Sequence, residues 1–178
     1  MPFIRNGQAK EAQSLLQQTL TLQATHHEAR LALVRLLVDA QQPTAAKNLL
    51  REGIQLAPEK TEFWMSLAHM QLQSNDTDAA LDTLRKGLRH NTRNAPYQAL
   101  LAAVLQSKGQ HTEAHERYQT ALQISPDNSN WWVGLGVSLQ ALNKTTEARN
   151  AYRRALEIGV SPALTNEVQT RLTQINPP

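Results

Sequence analysis

The chain repeats itself every 34 residues, and that period limits its fold before any other property is weighed. Pro58 and Pro126 stand 68 residues apart, as do Trp64 and Trp132, which is two periods. Counted from His27, four blocks follow without an insertion: 27–60, 61–94, 95–128 and 129–162. A unit this short cannot bury an apolar face alone, so its neighbours must stack on it.

Within the blocks the seventh place reads Leu33, Leu67, Leu101 and Leu135, and the eighth reads Val34, Ala68, Ala102 and Gly136. The twentieth is always alanine (Ala46, Ala80, Ala114, Ala148), and the twenty-fourth is Leu50, Leu84, Tyr118 and Tyr152. Small residues return at the twenty-seventh: Gly53, Gly87, Ala121 and Ala155. At 100° per residue, places 4, 7, 8 and 11 share one face of a first helix, and 20, 24, 27 and 28 share one face of a second. Between them place 15 holds Gln41, Asn75, Gly109 and Asn143, three of which suit the left-handed residue that ends a helix. Each block therefore predicts an antiparallel helix pair. A composition rich in Leu, Ala and Gln with 4% aromatics agrees with an all-α chain.

Trp132, Leu135, Gly136 and Leu139, with Ala148 and Tyr152 after them, resemble the tetratricopeptide repeat (TPR) pattern. The resemblance covers nearly the whole length and implies a right-handed TPR α-solenoid. It places a partial repeat at 1–26, full repeats at 27–60, 61–94, 95–128 and 129–162, and a polar-backed capping helix at 163–178. In that register Phe3 falls at place 11 and Gly7 at the turn, so the start reads as the end of a first helix followed by a second helix over 8–22, as in an excised piece. The unpaired 8–22 helix would expose Leu15 and Leu22 and favour a homodimer.

Catalytic constellations are not suggested. Gly134-Leu-Gly136 lacks the third glycine and the strand of a dinucleotide loop, so the glycines read as packing residues. Gly134 has two readings: a fit beside bulky Trp131, or a bare patch that a ligand backbone approaches. His111 and His115 stand four apart without a third ligand and read as solvated surface, whereas His90 holds a place occupied elsewhere by Leu56, Ile124 and Ile158 and reads as partly buried. No cofactor, metal or catalytic residue is expected. Eighteen basic residues are dispersed among 15 acidic ones for a net +3, without the stripe that nucleic acid requires; Lys144, Arg149, Arg153 and Arg154 read as one solvated helix face. Neither a signal sequence nor a run of roughly 18 apolar residues is visible, and zero cysteines fit a reducing or an oxidising compartment.

The TPR resemblance puts partner contacts on a concave groove at places 2, 5, 9, 12 and 13 of the first helices. Place 5 is Leu31, Met65, Ala99 and Val133; place 9 is Arg35, His69, Ala103 and Val137; place 12 is Val38, Leu72, Gln106 and Gln140. The carboxylate clamp of chaperone-tail binders is missing, since these places offer Arg35 as a cation and Asn130 as an amide. Leu31, Arg35, Val38, Met65, His69, Leu72, Gln106, Val133, Gly134, Val137 and Gln140 form the expected site, facing an apolar helix or extended segment of a partner protein or covered by the array itself. The run "WWVGLGVSLQAL", with "EARNAYRRALEIG" and "SPAL", is similar to the end of mannose-sensitive haemagglutinin (MSHA) type IV pilus biogenesis proteins. That likeness implies a periplasmic TPR region behind an N-terminal membrane anchor, serving pilus or secretion-machine assembly. The alternative is a cytoplasmic adaptor that recruits a soluble partner or a chaperone.

Overall fold

Four residues one period apart take left-handed backbone: Gln41 (φ 57°), Asn75 (φ 57°), Gly109 (φ 71°) and Asn143 (φ 59°). At each, the next N–H donates back to a carbonyl five residues earlier: Gln42 to Leu37, Asp76 to Gln71, Gln110 to Leu105 and Lys144 to Leu139, all at 2.8–2.9 Å. These bonds satisfy carbonyls that a helix end leaves bare, and they turn the chain sharply enough for the next helix to return alongside. Gln41 does this without the freedom of glycine or the short amide of asparagine.

The computed structural model describes residues 2–175, with side chains from residue 7 onward. The described residues are helical and contain no strand. They form two compact units, one running up to His90 and the other starting at Asn91. The first holds α1 (Pro2–Leu22), α2 (His27–Asp39), α3 (Pro43–Leu56), α4 (Thr61–Gln73) and α5 (Thr77–Gly87), closed by a 3₁₀ turn at Leu88–His90. The second holds α6 (Ala95–Ser107), α7 (His111–Ile124), α8 (Ser129–Ala141), α9 (Thr145–Ile158) and α10 (Pro162–Gln174). Asn94 and Asn128 cap α6 and α8 by accepting from the Tyr97 and Trp131 N–H groups, and Ser161 caps α10 through the N–H of Leu164. No helix among the described residues is long and apolar enough to cross a membrane.

Ala46, Ala80, Ala114 and Ala148 are wholly buried, which lets paired helices approach to backbone contact. Around them the first unit packs Leu33, Leu37, Leu50, Phe63 and Leu67. The second packs Tyr118, Leu135, Leu139 and Tyr152, and α10 adds the buried Val168 with Leu164, Leu172 and Ile175 at its edge.

Three expectations are corrected. The chain does not turn at Gly7: α1 runs unbroken from Pro2 to Leu22, since a single glycine costs a helix only about 1 kcal/mol and no packed neighbour requires a bend there. The side chain of Phe3, and the final residues 176–178, lie outside the described residues. His90 is exposed and accepts from Arg89 Nε at 2.9 Å, because its place is a surface one: Leu56 and Ile124 are 46% and 45% exposed. His111 and His115 are half-buried, with Nδ1 and Nε2 respectively closed off from solvent and without a partner. Desolvation holds His115 below the ordinary histidine range; Lys144 adds to this, and Glu147 and Glu116 oppose it. Leu15 and Leu22 are exposed, at 56% and 89%.

Candidate partner-binding surface

Two side chains do most to shape the first helices of the second unit. A Cβ on Gly134 would lie 2.4 Å from Tyr118 Cζ and 2.6 Å from its hydroxyl, and one on Gly136 would lie 2.5 Å from Tyr152 Cε1. The glycines of Gly-Leu-Gly are hollows for two tyrosine rings. Gly134 is buried, so it offers no bare patch to a ligand backbone; the neighbour it accommodates is Tyr118. Val133 is also buried, at 6% exposure, in the core cluster that holds Ala95, Ala99 and Tyr118. Burial pushes the Tyr118 hydroxyl up to about 12. Tyr152 is likewise pushed up by burial, with Arg171 partly opposing.

Place 12 has a different use in the two units. Gln106 donates from Nε2 to the Gly134 carbonyl (2.8 Å) and to Ser138 Oγ (2.7 Å), and Gln140 Oε1 accepts from the Tyr152 hydroxyl (2.8 Å). Both glutamines expected in the groove are therefore engaged in satisfying buried polar groups. Val137 is half-buried against the same core.

In the first unit the expected residues are accessible. On α2 and α4, Arg35, His69 and Val38 are exposed, and Leu31, Met65 and Leu72 are half-buried. Among the described residues neither Arg35 nor His69 is held by an ion pair or a side-chain hydrogen bond. At the N-terminal ends of these helices a hollow of about 180 Å³ is lined by His27, Glu28, Leu31, Lys60, Glu62 and Phe63. A wider cleft, about 690 Å³, separates α1 from α3; its α2 wall is Arg30, Leu33 and Leu37 at places 4, 7 and 11, a face distinct from places 5, 9 and 12. Among the described residues no group of three or more His, Asp or Glu is placed to hold a metal ion.

One periodic feature escaped the sequence reading. Place 4 holds Arg30, Trp64, Gln98 and Trp132, and each donates a side-chain N–H to the backbone carbonyl six residues earlier. The acceptors are Ala24 (2.9 Å), Pro58 (2.7 Å), Thr92 (2.9 Å) and Pro126 (2.7 Å). Arg30 also reaches the Leu49 carbonyl and Glu52 Oε2, at 3.2 and 3.0 Å, with only 4% of its side chain exposed. The signal was available: all four side chains carry an N–H donor, although only two are aromatic.

Family models described as tetratricopeptide repeat match residues 3–53, 37–104 and 94–159. No curated protein matches the chain in sequence. Among solved structures the chain is similar to MamA, with a TM-score of 0.71 and 23% identity over 86% of this chain and 90% of that one. It is also similar to MamA (residue 41 to the end) from Desulfovibrio magneticus RS-1, with a TM-score of 0.72 and 14% identity over 84% and 82%. A third is YrrB, described as a TPR protein with an unusual peptide-binding site, with a TM-score of 0.73 and 14% identity over 93% and 86%. At these identities the likeness is one of fold.

Proposed function

Because the chain belongs to the tetratricopeptide-repeat family, we propose that it is a non-enzymatic protein-interaction module that holds a partner segment against α2 and α4. The observation that carries this reading is the row of Leu31, Met65, Val38 and Leu72, left accessible beside the unpaired Arg35 and His69. Apolar surface of this kind, bordered by polar groups, favours contact with another chain. The peptide-binding site described for YrrB, whose fold is similar, supports the same class of role.

Val38→Glu with Met65→Glu tests the reading by affinity capture from an extract of the source organism. Val38 is exposed and Met65 half-buried, so helicity should hold and stability should fall by no more than about 1 kcal/mol. Proteins retained by the unaltered chain should be lost by the variant; an unchanged set moves the site elsewhere.

The likeness of residues 131–164 to MSHA pilus biogenesis proteins supports a finer reading: a periplasmic region assisting type IV pilus or secretion assembly. Cell fractionation separates this from a cytoplasmic adaptor, and wild-type piliation after deletion of the gene argues against it. Self-association through exposed Leu15 and Leu22 belongs to the same reading and is measured by light scattering.

A further inference from the structure

The charges along α2 and α4 are ordered. From the N-terminal end, each helix presents an acid at place 2 (Glu28, Glu62), an apolar residue at place 5 (Leu31, Met65), a basic or imidazole group at place 9 (Arg35, His69) and an apolar residue at place 12 (Val38, Leu72). These places fall within one arc of the helix surface. The second unit has no such order, since its places 2, 5 and 9 read Pro96 and Asn130, Ala99 and Val133, Ala103 and Val137. The order is also free to act outward. Arg35 and His69 have no partner among the described residues, Glu28 is 88% exposed, and the hollow beside the two glutamates contains Lys60 as its one lysine or arginine. His26 Nδ1, 3.4 Å from Glu28, already accepts from the Ala29 N–H and so cannot neutralise that carboxylate as a donor from the same atom.

Resting on the function proposed above, we propose that α2 and α4 take an amphipathic helix carrying a carboxylate at position i, an apolar residue at i+3 or i+4, and a lysine or arginine at i+7, seated antiparallel to them. Seven residues of helix rise about 10 Å, so the acid-to-base separation on α2 and α4 is matched by the same interval in a partner helix. In the antiparallel sense the partner's acid meets Arg35 and His69, its apolar residue meets Leu31 and Met65, and its base enters the hollow at Glu28 and Glu62. Direction follows from dipoles. An acid nearer the N-terminus and a base nearer the C-terminus suit the partner helix's own field, whereas the parallel sense would reverse them.

The probe is a fluorescein-labelled, alanine- and glutamine-based helical peptide of roughly 16 residues, long enough to hold some helix. It carries Glu at i, Leu at i+3 and i+4, and Lys at i+7; a second peptide has Gln in place of both Glu and Lys. Fluorescence anisotropy with the full chain at low salt should show the first binding about tenfold more tightly, from several weak exposed pairs acting together, with the gap closing in high salt. The variant Glu28→Gln, Glu62→Gln, Arg35→Gln, His69→Gln should erase the preference. Equal affinities for the two peptides, both lost in Val38→Glu with Met65→Glu, would overturn the charge order and leave the binding face standing. Binding of neither peptide overturns the inference, and the proposed function then rests on the capture experiment alone.

Discussion

Replacing Gly134 with alanine should destabilise the chain, although the same change in an unencumbered helix interior stabilises by about 1 kcal/mol. The added Cβ would stand 2.4 Å from Tyr118 Cζ, 2.6 Å from the hydroxyl and 2.8 Å from Cε1, where carbon atoms in ordinary contact stay about 3.5–4 Å apart. The ring would have to withdraw by about 1 Å. It has little room, being 5% exposed and packed in the same core as Ala99, Ala121 and Leu122. Overpacking of this kind costs about 1–3 kcal/mol, so after the gain in helix propensity the net loss is about 1 kcal/mol. For a chain of this length that lowers the thermal midpoint by about 2–4 °C. Circular dichroism melts and urea titrations measure the change. The decisive comparison is a double-mutant cycle with Tyr118→Leu, which installs the residue found at the same place as Leu50 and Leu84. In that background Gly134→Ala should stabilise by about 1 kcal/mol, giving a coupling of about 2 kcal/mol. If Gly134→Ala raises the midpoint equally in both backgrounds, the glycine is not there to admit the ring.

Gln41→Gly should stabilise by about 0.5–1 kcal/mol in urea denaturation, because a side chain is held at φ 57° where the other turns use asparagine or glycine. Trp132→Phe keeps an aromatic ring but removes the Nε1 bond to the Pro126 carbonyl, and Gln98→Leu removes the bond to the Thr92 carbonyl; each should cost about 1 kcal/mol, read by the same titration. Tyr118 is protonated in the folded chain up to about pH 12 against 10.0 when unfolded. Its contribution is therefore whole below pH 10 and declines as pH rises through 12, by about 2–3 kcal/mol for this one group. Tyr118→Phe should flatten that share of the alkaline loss, seen as a shallower fall in midpoint between the two pH values.

The helix pairs were legible because the features that make them recur at fixed intervals: four buried alanines, four leucines at place 7, and a left-handed residue at place 15. What the sequence concealed depends on a side chain arriving from another helix. Place 6 faces outward on a helical wheel, yet Gly134 is buried because Tyr118, sixteen residues earlier, lies across it. Val133, Gln106 and Gln140 were expected at the groove for the same reason, since periodicity assigns a face but not what covers it. The place 4 donors were concealed differently. Arg, Trp and Gln share no hydropathy, only an N–H directed at a carbonyl six residues back.

Tyrosine at place 24 also accounts for the different faces of the two units. Where that place is leucine, as at Leu50 and Leu84, there is no hydroxyl to satisfy, and place 12 can hold Val38 and Leu72 turned toward solvent and a partner. In the second unit the larger rings bring a need for glycine, and Tyr152 also brings a hydroxyl that Gln140 accepts. Gln106 in turn satisfies the Gly134 carbonyl and Ser138. Those place 12 side chains are thereby committed inward, and Ala99 and Val133 at place 5 are buried with them. One repeat register can therefore hold a recognition face in residues 27–73 and a reinforced, capped core in residues 95–175, with the size of one side chain per repeat deciding between them.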